Sequence, residues 1–243
     1  MIRNLRLSQK NAALVAVFTA LYVISGFLKI SPIIGLPGQA ITAASIIAPL
    51  IGILLGPYMG ILTAFMGGII GQFSGLFSYV SIVSGAAASM CAGLIRQNKG
   101  AAILLYLSLF LSLAFFPFIG PVWVYPYSIW FQLAGLLILL SPLSSGAKDL
   151  SSIRSSNLPF AFFTTCLIST LCGQIAGTLS LEATLTLNSS YWLGVWSSTA
   201  FLYPIERCII AIFSALIGSS LYKTVVAADF DSVFGLKKDQ KRS

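Results

Sequence analysis

Histidine is absent from this chain of 243 residues, and charged residues make up only 8% of it. Without histidine, the chain lacks the commonest metal ligand and the usual proton shuttle near neutral pH. Soluble domains carry roughly 25% charged residues, so this chain has too few to cover a surface in contact with water. The two deficits exclude an ordinary soluble fold and most enzymes that rely on acid–base catalysis.

Cysteine is scarce as well, and its pattern argues against two further classes of site. All four cysteines lie inside apolar segments, and no two of them form a Cys-x-x-Cys pair. Such spacing predicts neither a zinc site nor a disulfide framework, so we expect small buried side chains. Phosphate-binding loops and carboxylates paired within one span are missing too. We therefore expect no enzymatic activity, no metal site and no cofactor.

Apolar residues dominate the composition, at 57% of the chain, and the mean hydropathy is +0.94. Because about 20 apolar residues cross a bilayer as a helix, we predict an all-α, polytopic membrane protein with about eight transmembrane helices. The membrane domain covers residues 1–226, and a charged, disordered cytoplasmic tail follows at 227–243. The predicted spans are approximately 11–29, 39–56, 58–75, 78–95, 100–119, 122–141, 159–180 and 199–222.

The basic residues divide unevenly between the two sides that eight spans create. With the N-terminus inside, 12 of the 14 Lys and Arg residues face the cytoplasm, and only Lys29 and Arg207 fall elsewhere. Cytoplasmic loops of membrane proteins show this bias. We therefore predict a multi-pass protein of the cell membrane with both termini in the cytoplasm. The net charge of +8 also favours contact with anionic lipid, and no basic face interleaved with aromatic residues indicates nucleic acid.

A glycine-rich stretch at 46–75 predicts a tight helical hairpin, with its turn at Gly56-Pro57. Glycines recur there every four residues, which places them along one face of each helix. Small residues at such positions let neighbouring helices approach closely in lipid. The two sets are Gly52, Gly56 and Gly60, and Gly67, Gly71 and Gly75.

One ionisable pair, Glu206 and Arg207, lies within the last predicted span. An ionised side chain at membrane depth costs about 2.5–3.5 kcal/mol on insertion scales, which makes it a candidate functional residue. Because adjacent helical residues point about 100° apart, we expect the two not to pair directly, so that one of them needs a ligand. The alternative is a pair of interface anchors whose side chains extend to water.

An outward-facing substrate cavity is predicted around this pair. On the predicted topology, Gln72 and Gln174 lie at a depth similar to that of Glu206. All four tryptophans fall near the outer end, as an interface belt or as a stacking surface for a planar ligand. The loop at 29–39, rich in Pro and Gly, is either a cap or an ordinary connector. The predicted binding residues are Lys29, Gln39, Gln72, Trp123, Tyr127, Gln174, Trp196, Tyr203, Glu206 and Arg207.

Several motifs together resemble the substrate-binding S components of energy-coupling factor transporters. They are the stripe of Ala12, Ala16 and Ala20, and the segments 55–60 (LGPYMG), 67–71 (GGIIG) and 203–207 (YPIER). In that family an alanine stripe on the first helix docks a transmembrane coupling subunit, which works with ATPases. The loop after the first helix gates an outward pocket for a vitamin, another small nutrient or a metal ion. The resemblance implies docking at the alanine stripe and a gate at 29–39, although the family usually has six spans.

Three functions follow from these observations. The leading one is a membrane-embedded subunit that captures a small, vitamin-like nutrient and works with a separate energising module. The second is a self-sufficient secondary transporter driven by an ion gradient, with Glu206 as the coupling carboxylate. The third is a membrane assembly protein without transport activity. Proton-coupled uptake without an ATPase partner favours the second function, and absence of small-molecule binding favours the third.

Overall fold

Helices form most of the described structure, a computed structural model that covers residues 9–147, 157–185 and 187–227. Between the first two helices, strands β1 (Lys29–Pro32) and β2 (Ala40–Thr42) pair in antiparallel orientation. Short 3-10 helices span Pro126–Ile129 and Pro142–Ala147. The α-helices are α1 (Gln9–Ser25), α2 (Ala44–Leu55), α3 (Pro57–Phe73), α4 (Tyr79–Gln97), α5 (Lys99–Ala114), α6 (Pro121–Val124), α7 (Trp130–Leu140), α8 (Leu158–Thr184) and α9 (Ser189–Ala227).

Each predicted span overlaps helical structure in part, and the lengths of the helices differ widely. Within the described ranges, three helices, α4, α8 and α9, are long and apolar enough to cross a membrane. The apolar helices α1, α2, α5 and α7 are shorter. The predicted span at 122–141 is interrupted near Pro126, since proline has no N–H to continue the helix that ends at Val124. The chain is thus a helical protein with three candidate membrane spans, and eight spans stay a prediction.

The core is organised around α8, which packs against α4, α9, α5 and α7. Most of its apolar side chains are buried, including Phe162, Ile168 and Ile175, while Phe160 near its start is exposed. The outer helices instead expose large apolar side chains, such as Leu104 and Phe201. An apolar surface of this extent is stable against lipid and unfavourable in water, which agrees with the composition of the chain.

The hairpin of α2 and α3 packs closely on α4, as the first glycine set predicts. Gly56 ends α2 with φ of 82°, and Pro57 begins α3. A Cβ atom at Gly52 would overlap the backbone carbonyl of Ser89 in α4, and one at Gly93 of α4 would overlap Pro57. The helices are therefore in contact through backbone atoms, which larger side chains would prevent.

The second glycine set behaves differently along its length. Gly67 packs against Tyr22 of α1, and Gly71 packs against Phe77. Gly75 lies beyond the end of α3, with φ of 73° and no atom close to where a Cβ would stand. The prediction that Gly75 belongs to a helix-packing stripe is therefore wrong, because this glycine serves a turn.

Some predictions concern residues that lie outside the described ranges. These include the tail at 228–243 and the loop that carries Lys148 and Arg154. The predicted N-terminal basic residues Arg3 and Arg6 lie outside them as well.

Candidate functional site

A cavity lies at one end of the helical bundle, beside the β1–β2 hairpin. It holds about 800 Å³ of space free of protein atoms, part of which opens to solvent. The first turns of α2 and α4, the C-terminal half of α8 and the first half of α9 form most of its wall.

Regular helical spacing brings the wall residues together. On α9 they recur every four residues, at Val195, Thr199, Tyr203 and Arg207. Residues spaced in this way share one face of a helix. The other two main helices show the same periodicity: α4 contributes Val80, Ser81, Ser84, Gly85 and Ala88, and α8 contributes Thr170, Gln174, Gly177, Thr178 and Leu181.

Glu206 and Arg207 form a buried ion pair, and both side chains are about 95% buried, with exposed fractions of 6% and 5%. Glu206 Oε1 lies 3.1 Å from Arg207 Nη2. The guanidinium carbon of Arg207 also lies 5.6 Å from the centre of the Tyr203 ring. The expectation that the two would not pair directly is wrong. Both side chains are long enough to meet even though their Cβ atoms point in different directions.

The β1–β2 hairpin is held against α9 by three hydrogen bonds. Ser31 Oγ donates to Glu206 Oε2 at 2.5 Å, and the Ile34 N–H donates to the Tyr203 hydroxyl at 3.3 Å. The Tyr191 hydroxyl donates to the Gly35 carbonyl at 3.0 Å. Because Ile34 also lines the cavity, these contacts make the hairpin part of the cavity wall.

Two buried polar atoms on residues of the cavity wall have no hydrogen-bond partner among the described residues. They are Oε1 of Gln174 and Nε of Arg207. A buried polar atom without a partner costs roughly 1–3 kcal/mol, and more when the group is charged. A bound solute or water that supplied the missing partners would remove that cost.

Three of the ten predicted binding residues line the cavity, namely Gln174, Tyr203 and Arg207. Glu206 is absent from the wall and contacts the hairpin and Arg207 instead. Gln72 is exposed near the end of α3 and does not line the cavity. The predicted depth of Gln72 matched that of Gln174, but depth does not determine which way a side chain points around the helix axis. Gln72 therefore lies outside the site.

Five other predicted binding residues, three aromatic residues and two in or beside the β1–β2 hairpin, do not line the cavity. Trp123 and Tyr127 are exposed by 61% and 76%. Trp196 is buried, donates from Nε1 to the Ile119 carbonyl at 2.9 Å and stacks on Trp192. Lys29 is exposed, Gln39 is half-buried, and neither lines the cavity.

The sequence reasoning missed the hydroxyl groups of the wall, which include Ser45, Ser81, Ser84 and Thr178. A usable signal was present on α4, where small and polar residues recur at helical spacing within an apolar helix. The signal is weak, since serine and threonine also occur in membrane helices as ordinary contacts between helices.

The cavity lies away from the basic end of the helices. The first three turns of α4 line it, whereas Arg96 is in the last turn of the same helix. There, Arg96 Nη1 donates to the Ile53 carbonyl at 2.5 Å, and Lys99 Nζ donates to the Ser141 carbonyl at 2.7 Å. The fold therefore separates the candidate site from these two cations by most of the length of α4.

Fold and site together define a helical protein with candidate membrane spans and a polar cavity bordered by a β-hairpin. Comparison with known proteins adds no relative, since no family model, curated protein or solved structure matches the chain.

Proposed function

We propose that this chain is a membrane-embedded subunit that captures a small, vitamin-like nutrient for uptake and works with a separate energising module. The observation that carries this proposal is the cavity beside the hairpin, with its partly polar wall. Its wall combines apolar and aromatic surface with buried polar atoms that have no partner within the described part of the chain, as small-molecule sites do. The resemblance of the sequence motifs to S components supports the same function.

Native mass spectrometry of the purified protein tests this proposal. We expect a small molecule to remain bound after gentle release from the detergent micelle. If no molecule co-purifies and none binds from a cell extract, the function is wrong and an assembly role takes its place. If the reconstituted chain alone drives uptake from a proton gradient, the separate energising module is unnecessary.

The alanine stripe on α1 is accessible for the proposed coupling subunit. Ala12, Ala16 and Ala20 are all exposed. The opposite side of α1 packs into the protein through Phe18 and Tyr22, which are 7% and 2% exposed. Small side chains on an exposed helix face permit close approach of a partner helix in lipid. We therefore propose that a transmembrane coupling subunit, which acts with ATPases, docks on this stripe.

Ala16→Trp is expected to abolish co-purification with a coupling subunit from native membranes, because the indole holds the partner helix away. Val17→Trp is the matched control. Val17 is the next residue along α1, is 64% exposed and lies outside the alanine stripe. Both variants should unfold at the wild-type temperature. Equal recovery of the partner with both variants would show that docking does not use the alanine stripe.

We further propose that the chain crosses the cell membrane eight times, with both termini in the cytoplasm and the cavity facing outward. Cysteine substitutions at Gly100 and Ser189, both exposed, test this arrangement in a background without the four native cysteines. A membrane-impermeant maleimide added to intact cells should label position 189 and leave position 100 unlabelled until the cells are opened. Labelling of both positions from outside would exclude this topology.

A further inference from the structure

We propose that the cavity binds a small organic acid, whose carboxylate lies between Arg207 and the first turn of α2. This inference rests on the proposed function, because it names the substrate class of the same cavity. Among the described residues that line the cavity, Arg207 is the one charged side chain. Glu206 pairs with Arg207 from outside the wall, so the charged group that faces the cavity is a cation. A cation there favours an acid over an amine as the ligand.

Arg207 keeps hydrogen-bond donors for a ligand in addition to its ion pair with Glu206. Glu206 approaches one terminal nitrogen, Nη2, at 3.1 Å, and its other oxygen accepts from Ser31. Arg207 Nε has no partner among the described residues. A guanidinium carries five N–H donors in a planar fork, which suits two parallel hydrogen bonds to a carboxylate. Arg207 can therefore bind a second carboxylate while it keeps its contact with Glu206.

The first turn of α2 supplies a second favourable contact for a negative charge. This helix begins at Ala44 with no side-chain cap, and both Ala44 and Ser45 line the cavity. The Ile46 N–H already donates to the Ala43 carbonyl at 3.0 Å, and the partial positive charge of the helix start attracts anions. Arg207 and the first turn of α2 line the same cavity, so both favour a negative charge in it.

The packing of α9 on α2 sets the relative depth of these two groups. Ser214 Oγ of α9 donates to the Ile46 carbonyl in the first turn of α2 at 3.0 Å. Arg207 precedes Ser214 by seven residues, close to two full turns, so both lie on similar faces of α9 at a separation of about 10 Å. Both α2 and α9 run away from the hairpin. The N–H groups of α2 point towards its N-terminus, and therefore towards the side on which Arg207 lies.

The rest of the wall favours a carboxylic acid with a planar apolar body over an inorganic anion. The rings of Tyr22 and Phe77, with centroids 5.4 Å apart, both line the cavity. Ile33 and Ile34 of the hairpin region add apolar surface. Gln174 Oε1, which lacks a partner among the described residues, can accept from an N–H or O–H group of the ligand. A small inorganic anion would leave this surface unused.

Equilibrium dialysis with radiolabelled benzoate tests the proposal on the full chain in nanodiscs of neutral phosphatidylcholine. We expect saturable binding, with benzamide and benzylamine competing at least about tenfold more weakly, because they share the ring and lack the negative charge. Arg207→Gln should weaken benzoate binding by roughly 30-fold or more and leave benzamide unaffected. Lys29→Gln is the matched control, since it removes an exposed cation at the start of β1 that does not line the cavity.

The outcomes separate this proposal from the proposed function. If benzamide or benzylamine binds as well as benzoate, the acid class is wrong and the cavity still captures a solute. Equal losses in Arg207→Gln and Lys29→Gln would also overturn the role of Arg207. Competition by inorganic phosphate, or by phosphatidylglycerol added to the nanodiscs, would identify a phosphate group as the occupant and overturn the proposal. Absence of benzoate binding would overturn the proposal that the ligand is an organic acid. Native mass spectrometry would still test the proposed function, because it does not depend on the class of ligand. If Arg207→Gln does not fold, the preference of the wild-type chain for benzoate over benzamide and benzylamine still tests the proposal.

Discussion

Gly52→Leu is expected to abolish the recovery of folded protein. A Cβ atom at this position would already overlap the backbone carbonyl of Ser89, and a backbone carbonyl cannot rotate away as a side chain does. Overpacking of a well-packed core typically costs about 1–3 kcal/mol and occasionally more. Because α2 and α4 also form the cavity wall, their separation would disrupt the site as well. Size-exclusion chromatography of detergent-solubilised protein measures the loss of the monodisperse species.

Gly194→Leu is the matched control for this prediction. Gly194 lies in α9 and is exposed, and no atom stands within 4 Å of where its Cβ would be. The same substitution there should leave the yield and the unfolding temperature close to wild-type values, since leucine favours a helix more than glycine does. A monodisperse Gly52→Leu protein that unfolds at the wild-type temperature would contradict the close packing of α2 on α4.

Thr178→Trp is expected to abolish ligand capture and to preserve the fold. Thr178 is half-buried on α8 and lines the cavity, so an indole at this position would occupy the space that a ligand needs. Native mass spectrometry should then detect no bound small molecule, and affinity for any ligand recovered from the wild-type protein should fall by about 100-fold or more, which corresponds to about 2.8 kcal/mol. The unfolding temperature measured without ligand should change little.

Ala183→Trp provides the comparison on the same helix. Ala183 is exposed and does not line the cavity, so this variant should keep both the bound molecule and its affinity. Full ligand retention by Thr178→Trp would mean that the ligand lies elsewhere. Loss in both variants would indicate a general disturbance of α8 and would not support the cavity as the site.

The sequence by itself determined the helical class, because scarce charge and long apolar runs are properties of local segments. It also predicted the α2–α3 turn, where Gly56 adopts a positive φ and Pro57 starts the next helix, since those preferences belong to single residues. The rarity of ionisable groups at membrane depth directed attention to Glu206 and Arg207. Arg207 lines the cavity, and Glu206 binds the hairpin through Ser31.

Only the tertiary structure decided which helix faces form the cavity. Gln72 and Gln174 are equivalent by residue type and predicted depth, yet only Gln174 lines it. The difference arises because α8 lies at the centre of the bundle, whereas α3 packs at its side against α1, α2 and α4. The strand pairing at 29–42 and the hydroxyl groups of the wall were decided in the same way. A short strand or a serine acquires its role from the partners that distant parts of the chain bring to it, and local sequence does not contain that information.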